Sequence, residues 1–163
     1  FSIYAIRMKQ LLNNTELINS FYNGFKKLDY EAMKNAYHSE VVFSDPVFNN
    51  LDFNQVTSMW KMLCLKAQEF HLRYEILEIN DGFARVKWEA DYLFSKTNRT
   101  VKNKVIAEMY FKDGKIIKHI DSFNLWKWSQ MALGPVGLIL GWTPFMKKKI
   151  QAQAMGQLKN FQK

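Results

Sequence analysis

A chain of 163 residues, 48% hydrophobic and 15% aromatic, is long enough for one substantial core and too apolar to be disordered. Its formal charge of +8 would suit nucleic acid or an anionic membrane, but the lysines are scattered over turns and helix faces. The one compact run is Lys147-Lys148-Lys149 and no nucleic-acid motif accompanies it, so nucleic acid is set aside as a partner.

The stretch FSIYAIR before Met8 has too short an apolar part for a signal peptide and no small-residue cleavage site. It reads as an extra or incomplete N-terminus. From Asn14 the spacing predicts a helix with Leu11, Ile18, Phe21, Tyr22 and Phe25 on one face and Gly24 near its end. Asp29 then caps a short helix through Tyr37, turning Ala32, Met33, Ala36 and Tyr37 inward. Val41–Asp45 reads as a strand. Asp52 with Gln55 has the form of a capping box, opening a helix that buries Phe53, Val56, Met59 or Trp60, Leu63 and Ala67. Its single cysteine, Cys64, excludes an intrachain disulfide and points to a reducing, cytoplasmic setting.

After His71 the apolar period changes from 3.6 to 2. Leu72–Ile79 is a strand, Asp81-Gly82 a tight turn and Ala84–Phe94 a long strand. On that strand Ala84, Val86, Trp88, Ala90, Tyr92 and Phe94 share one face; Arg85, Lys87, Glu89 and Asp91 share the other. Val101–Phe111 and Lys115–Leu125 follow as strands joined by a turn at Asp113-Gly114. On the last one Ile117, His119, Asp121 and Phe123 alternate onto one face.

From Trp128 to Met146 there is no charge, and the three lysines come next. That length borders on a membrane span, yet Gly134, Pro135, Gly137, Gly141 and Pro144 interrupt it. Ile150, Ala154, Leu158 and Phe161 then form an amphipathic stripe. A tail folded back on the domain, over the cone mouth or a dimer partner, is the expectation; contact with a membrane surface is the alternative, ahead of a true span. The chain thus divides into a domain over residues 8–125 and a helical C-terminal extension over 126–163. Its fold class is α+β: a strongly curved, cone-shaped antiparallel sheet with the N-terminal helices in its concave side.

Within FSDP, Asp45 puts a carboxylate in apolar surroundings, where it must be paired, hydrogen-bonded, protonated or functional. Two placements fit: it caps the turn at Pro46 or pairs with a lysine, or it is aimed into a pocket. Asp121 has the same two faces, since His119 or a tail residue could hold it structurally.

The element order, FSDP after two helices and DGKIIKHIDSF as the final hairpin resemble the nuclear transport factor 2-like superfamily over residues 10–125. Within it the chain is similar to the SnoaL-like branch, which also holds ketosteroid isomerase and polyketide cyclases. The tail resembles C-terminal extensions on bacterial SnoaL-like proteins. The resemblance puts Asp45 at the position of the isomerase base and Asp121 at that of a cyclase acid–base aspartate. It puts Phe21, with Tyr22 beside it, and Ala107 at the positions of the isomerase's two oxyanion donors, where neither Phe21 nor Ala107 can donate. Steroid isomerisation by that mechanism is therefore not expected.

What the resemblance implies is a pocket for a small apolar carbonyl-bearing molecule, with Asp45, Asp121 and His119 as the acid–base groups. Phe21, Tyr22, Phe25, Met59, Trp60, Trp88, Tyr92, Ala107, Met109 and Phe123 would line it. Three scattered histidines and one cysteine have no metal-ligand spacing, and neither a metal nor a cofactor is implied. A homodimer through the outer face of the sheet is common in the superfamily and is the expectation here. The other reading is a non-catalytic binding or protein-interaction module.

Overall fold

Ser2 accepts the Tyr4 N–H on its hydroxyl (3.2 Å) in the computed structural model, which describes residues 2–163. That cap starts α1 at Ile3, well before Asn14, and the helix runs to Lys26. The extra turns escape a periodicity reading because Ile3, Tyr4, Ile6 and Met8 are exposed and belong to no buried stripe. Asp29 caps α2 (Tyr30–Asn35) as expected, but the helix ends before Tyr37. Tyr37 instead opens strand β1 (Tyr37–Ser44). The capping box is present at the start of α3 (Phe53–Lys66), where Asp52 Oδ1 accepts the Gln55 N–H and Gln55 accepts the Asp52 N–H. α3 buries both Met59 and Trp60, along with Met62 and Cys64, while Leu63 is exposed rather than buried.

Four strands follow, β2 (His71–Ile79), β3 (Phe83–Phe94), β4 (Arg99–Lys112) and β5 (Lys115–Ser122). They pair antiparallel in sequence order, and the sheet order is β1-β5-β4-β3-β2. The wholly antiparallel sheet needs one correction: β1 joins the edge beside β5 in parallel register, Phe43 opposite His119. A parallel pairing needs a long crossover, and everything from α3 to β4 supplies it. On β5, the register slips where Tyr110 pairs with Lys118 and Phe111 with Ile116. The bulge leaves Ile117 out of the ladder, so Ile116, not Ile117, shares the buried face with His119 and Asp121.

The convex face of the sheet carries an ion-pair grid, including Arg73 with Glu89 (2.6 Å) and Asp91 and Arg85 with Glu78 and Glu108. The concave face holds Ala84, Val86, Trp88, Ala90, Val105, Ala107 and Met109 against α1 and α3.

The tail folds into three helices, α4 (Leu125–Leu133), α5 (Pro135–Leu140) and α6 (Pro144–Phe161). Among the described residues no helix is long and apolar enough to cross a membrane. α4 lies along the end of the sheet, with the Trp128 indole N–H donating to the Tyr92 hydroxyl (2.8 Å) and Arg99 to the Met131 carbonyl (2.9 Å). α6 returns beside α3, where the Gln162 amide donates to the Asn54 carbonyl and the Gln151 amide reaches the Pro46 carbonyl (3.0 Å). Leu158 of its stripe is fully buried.

Three of the tail's four glycines, Gly134, Gly137 and Gly141, have a structural cause. Gly134 takes φ +66°, which ends α4 and turns the chain into α5. A Cβ on Gly137 would sit 1.9 Å from the Ser129 carbonyl oxygen, and one on Gly141 2.0 Å from the Ser129 hydroxyl. α5 therefore lies backbone to backbone on α4. Gly137→Ala is expected to lift α5 off α4 and cost about 1–3 kcal/mol. Urea unfolding with limited proteolysis checks this; an unchanged midpoint and cleavage pattern would refute the close contact.

Candidate functional site

Asp45 follows the last residue of β1. Its Oδ1 accepts the N–H groups of Val47 (2.7 Å) and Phe48 (2.6 Å), and its own N–H donates to the Phe48 carbonyl (2.8 Å). The carboxylate therefore does cap the turn at Pro46. It also faces a cavity, and Oδ2, bonded to no other described residue, is the oxygen left for it. Both placements allowed by the sequence hold at once. Burial raises the Asp45 pKa to about 6, against the two backbone N–H groups, which lower it; the charge of Asp121 adds to the rise.

Asp121 lies on the same cavity and is 3% exposed. Its Oδ1 meets His119 Nε2 at 2.8 Å, and the Trp88 indole N–H approaches the same oxygen at 3.4 Å. The other nitrogen of His119, Nδ1, is 2.7 Å from the Tyr37 hydroxyl, which accepts the Trp60 indole N–H at 2.9 Å. One proton arrangement satisfies every group. Tyr37 donates its O–H to Nδ1, and His119 donates Nε2–H to Asp121 Oδ1. Burial pushes the Tyr37 hydroxyl well up, which keeps it a neutral donor. His119 is wedged among Phe21 and Phe43, edge-on, and Trp60, stacked at 23°. It does not line the cavity; it stands behind Asp121 and fixes that carboxylate's position.

The cavity holds about 270 Å³, a little under the roughly 300–1,000 Å³ common for drug-sized ligands. Of the expected lining, Phe25, Met59, Trp60, Trp88, Tyr92 and Phe123 are on its wall. Phe21, Tyr22, Ala107 and Met109 are not: all four are buried in the closed end of the core. Ala107 sits directly opposite Asp121 in the β4–β5 register, and its small side chain leaves room beside the acid. Tyr22 stacks on Tyr74, and its hydroxyl has no hydrogen-bond partner among the described residues.

Two contributors escape a sequence reading. The local pattern puts Tyr37 in a helix, which does not bring its hydroxyl to His119. Asn103 is buried, lines the cavity, and its amide bonds no other described residue. Its signal was present: it is the one polar residue in the inward alternation Val101, Asn103, Val105, Ala107, Met109. Trp128, Ala154 and Gln157 bring the extension onto the wall. Among the described residues no group of three or more His, Cys, Asp or Glu side chains could hold a metal ion.

Residues 18–119 match the family model described as SnoaL-like domain. Among curated proteins, none matches the chain. Solved structures do. A polyketide cyclase candidate from Xanthomonas campestris pv. campestris is 15% identical with a TM-score of 0.66, over 76% of this chain and 98% of that one. A Catenulispora acidiphila protein with a ketosteroid isomerase-like fold, in complex with trimethylamine, is 9% identical with a TM-score of 0.64, over 79% and 98%. An LEH-like epoxide hydrolase of M. tuberculosis is 13% identical with a TM-score of 0.60, over 80% and 98%. At these identities the likeness is one of fold.

Proposed function

The chain belongs to the SnoaL-like domain family, and on that premise we propose that its cavity takes a compact apolar molecule bearing a carbonyl group and moves a proton next to that carbonyl. The carrying observation is a pair of carboxylates on one aromatic-walled cavity with opposed surroundings. Asp121 is held in place by His119, whose Nε2 lies 2.8 Å from its Oδ1. Asp45, at about 6, is mostly ionised at neutral pH and basic enough to take a carbon-bound proton.

In the proposed cycle Asp45 Oδ2 removes a hydrogen from the carbon beside the carbonyl. The electron pair moves onto the carbonyl oxygen, and the Asn103 amide N–H is the donor available to that developing enolate. Asp45 then returns the proton, to the same carbon or to a conjugated one. The His119–Tyr37–Trp60 chain keeps Asp121 in place, where its charge adds to the rise that burial gives the Asp45 pKa. Asn103 replaces the missing oxyanion donors with a different polar residue on β4, the strand that also carries Ala107.

The test is hydrogen–deuterium exchange next to the carbonyl in a panel of small apolar ketones, followed by proton NMR. The catalysed rate should rise about tenfold per pH unit below about 6 and level off above it, as Asp45 ionises. No catalysed exchange across the panel, or a rate independent of pH between 4 and 8 (about two units either side of the apparent pKa), would overturn the assignment and leave a binding module.

A further inference from the structure

Six lysines stand in the segment from Ser122 to the C-terminus, Lys127, Lys147, Lys148, Lys149, Lys159 and Lys163, and it has no Asp or Glu. The segment's formal charge is +6, against +8 for the whole chain. The same segment carries the most exposed apolar surface of the C-terminal half. Ile139 is 66% exposed, Trp142 67% and Phe145 72%, with Val136 and Leu138 more than half exposed beside them.

This surface is not left over from loose packing. Gly137 and Gly141 press α5 backbone-first onto Ser129 of α4, so the bulky residues between and beside them are turned to solvent. The Trp142 indole N–H donates to the Ile139 carbonyl (2.9 Å), which leaves the ring's apolar face outward without an unmet donor. Lys147–Lys149 then fall in the second turn of α6, at the positive end of the helix dipole. Rings and aliphatic side chains bordered by lysines, in a segment without Asp or Glu, complement the headgroup zone of an anionic bilayer. A second copy of the chain fits less well, since it would set one +6 segment against another.

We propose that the turn from α5 into α6 docks the protein on an anionic membrane surface, with Ile139, Trp142 and Phe145 in the interfacial zone and Lys147–Lys149 on the headgroups. No helix spans the bilayer in this arrangement. Of the docked helices, α6 carries Ala154 and Gln157 to the cavity wall, and α5 packs on α4, which carries Trp128 there, so the docking surface and the cavity share the same helical extension.

The experiment is flotation with vesicles of phosphatidylcholine alone and of phosphatidylcholine and phosphatidylglycerol in equal parts, at low and high salt. The full chain should float with the mixed vesicles at low salt, and high salt should weaken binding. K147Q/K148Q/K149Q should lower the affinity about 100-fold. W142S/F145S should lower it by about tenfold or more. All five side chains are surface groups, so both variants should keep the parent's circular dichroism and Tm, which is checked first. Absence of flotation, or flotation unchanged in both variants, overturns the proposal. So does a dimer in sedimentation equilibrium that the ring variant dissolves while no vesicle binding is seen.

Discussion

At pH 8 the Asp45→Asn variant is expected to be more stable than the parent and to have lost catalysed exchange. In the folded protein burial pushes the Asp45 carboxyl up to about 6, from an ordinary value of 3.8. A native pKa above the unfolded one means that the folded state holds the proton more tightly. The associated stability is fully present below the unfolded value and is lost as pH rises through the folded one, so the parent weakens between about 4 and 6. The upper bound, at 1.36 kcal/mol per unit, is about 3 kcal/mol, and partial access to water trims it to about 2 kcal/mol. Asparagine keeps an Oδ1 to accept the Val47 and Phe48 N–H groups, so the turn survives, and it carries no charge to desolvate. For a chain of this size Tm should rise by about 4–8 °C at pH 8 and stay level with the parent near pH 4. Turnover should fall by about 10³-fold, since aspartate is the base and asparagine is not one. Calorimetry at the two pH values with the exchange assay decides it. Equal Tm differences at both would mean that the carboxylate is well solvated.

The second large effect concerns Asp121. Asp121→Ala leaves His119 Nε2–H without an acceptor in a site sealed by Phe21, Phe43 and Trp60, which should cost about 2–4 kcal/mol. Asp121→Asn can still accept that N–H and should cost about 1 kcal/mol. The asparagine variant also removes the negative charge that helps raise the Asp45 pKa, so the midpoint of its pH–rate profile should move to lower pH. The movement is partial, because burial is the larger cause. Denaturant melts of both variants, with the profile of the folded one, separate support from chemistry. If alanine and asparagine unfold alike, the His119–Asp121 contact contributes little.

Much of this architecture is local and therefore legible in the chain. The change of apolar period near His71, the turn at Asp113-Gly114 and the caps at Asp29 and Asp52 depend on residues a few positions apart, and each recurs in the structure. The alternation on the last strand put His119, Asp121 and Phe123 on one side, and the bulge at Ile117 corrected only its first member. What was not legible depends on long-range pairing. Tyr37 has an unremarkable local pattern, and only the parallel pairing of β1 with β5 brings its hydroxyl to His119. The stripe Ile150, Ala154, Leu158, Phe161 announces that α6 packs on something, but an amphipathic face has no address. Asn103 could have been found, because an amide in a row of valines is costly without a task.

The recognisable SnoaL-like segment ends at residue 119, yet Asp121, Phe123, Trp128, Ala154 and Gln157 all border the cavity. The chamber is thus assembled from two lengths of chain that can change at different rates. Drift in the appended helices could resize or reshape the chamber while the turn that holds Asp45 stays as it is. A cousin with the same first 119 residues and another ending would keep Asp45 on its turn and enclose a chamber of another shape.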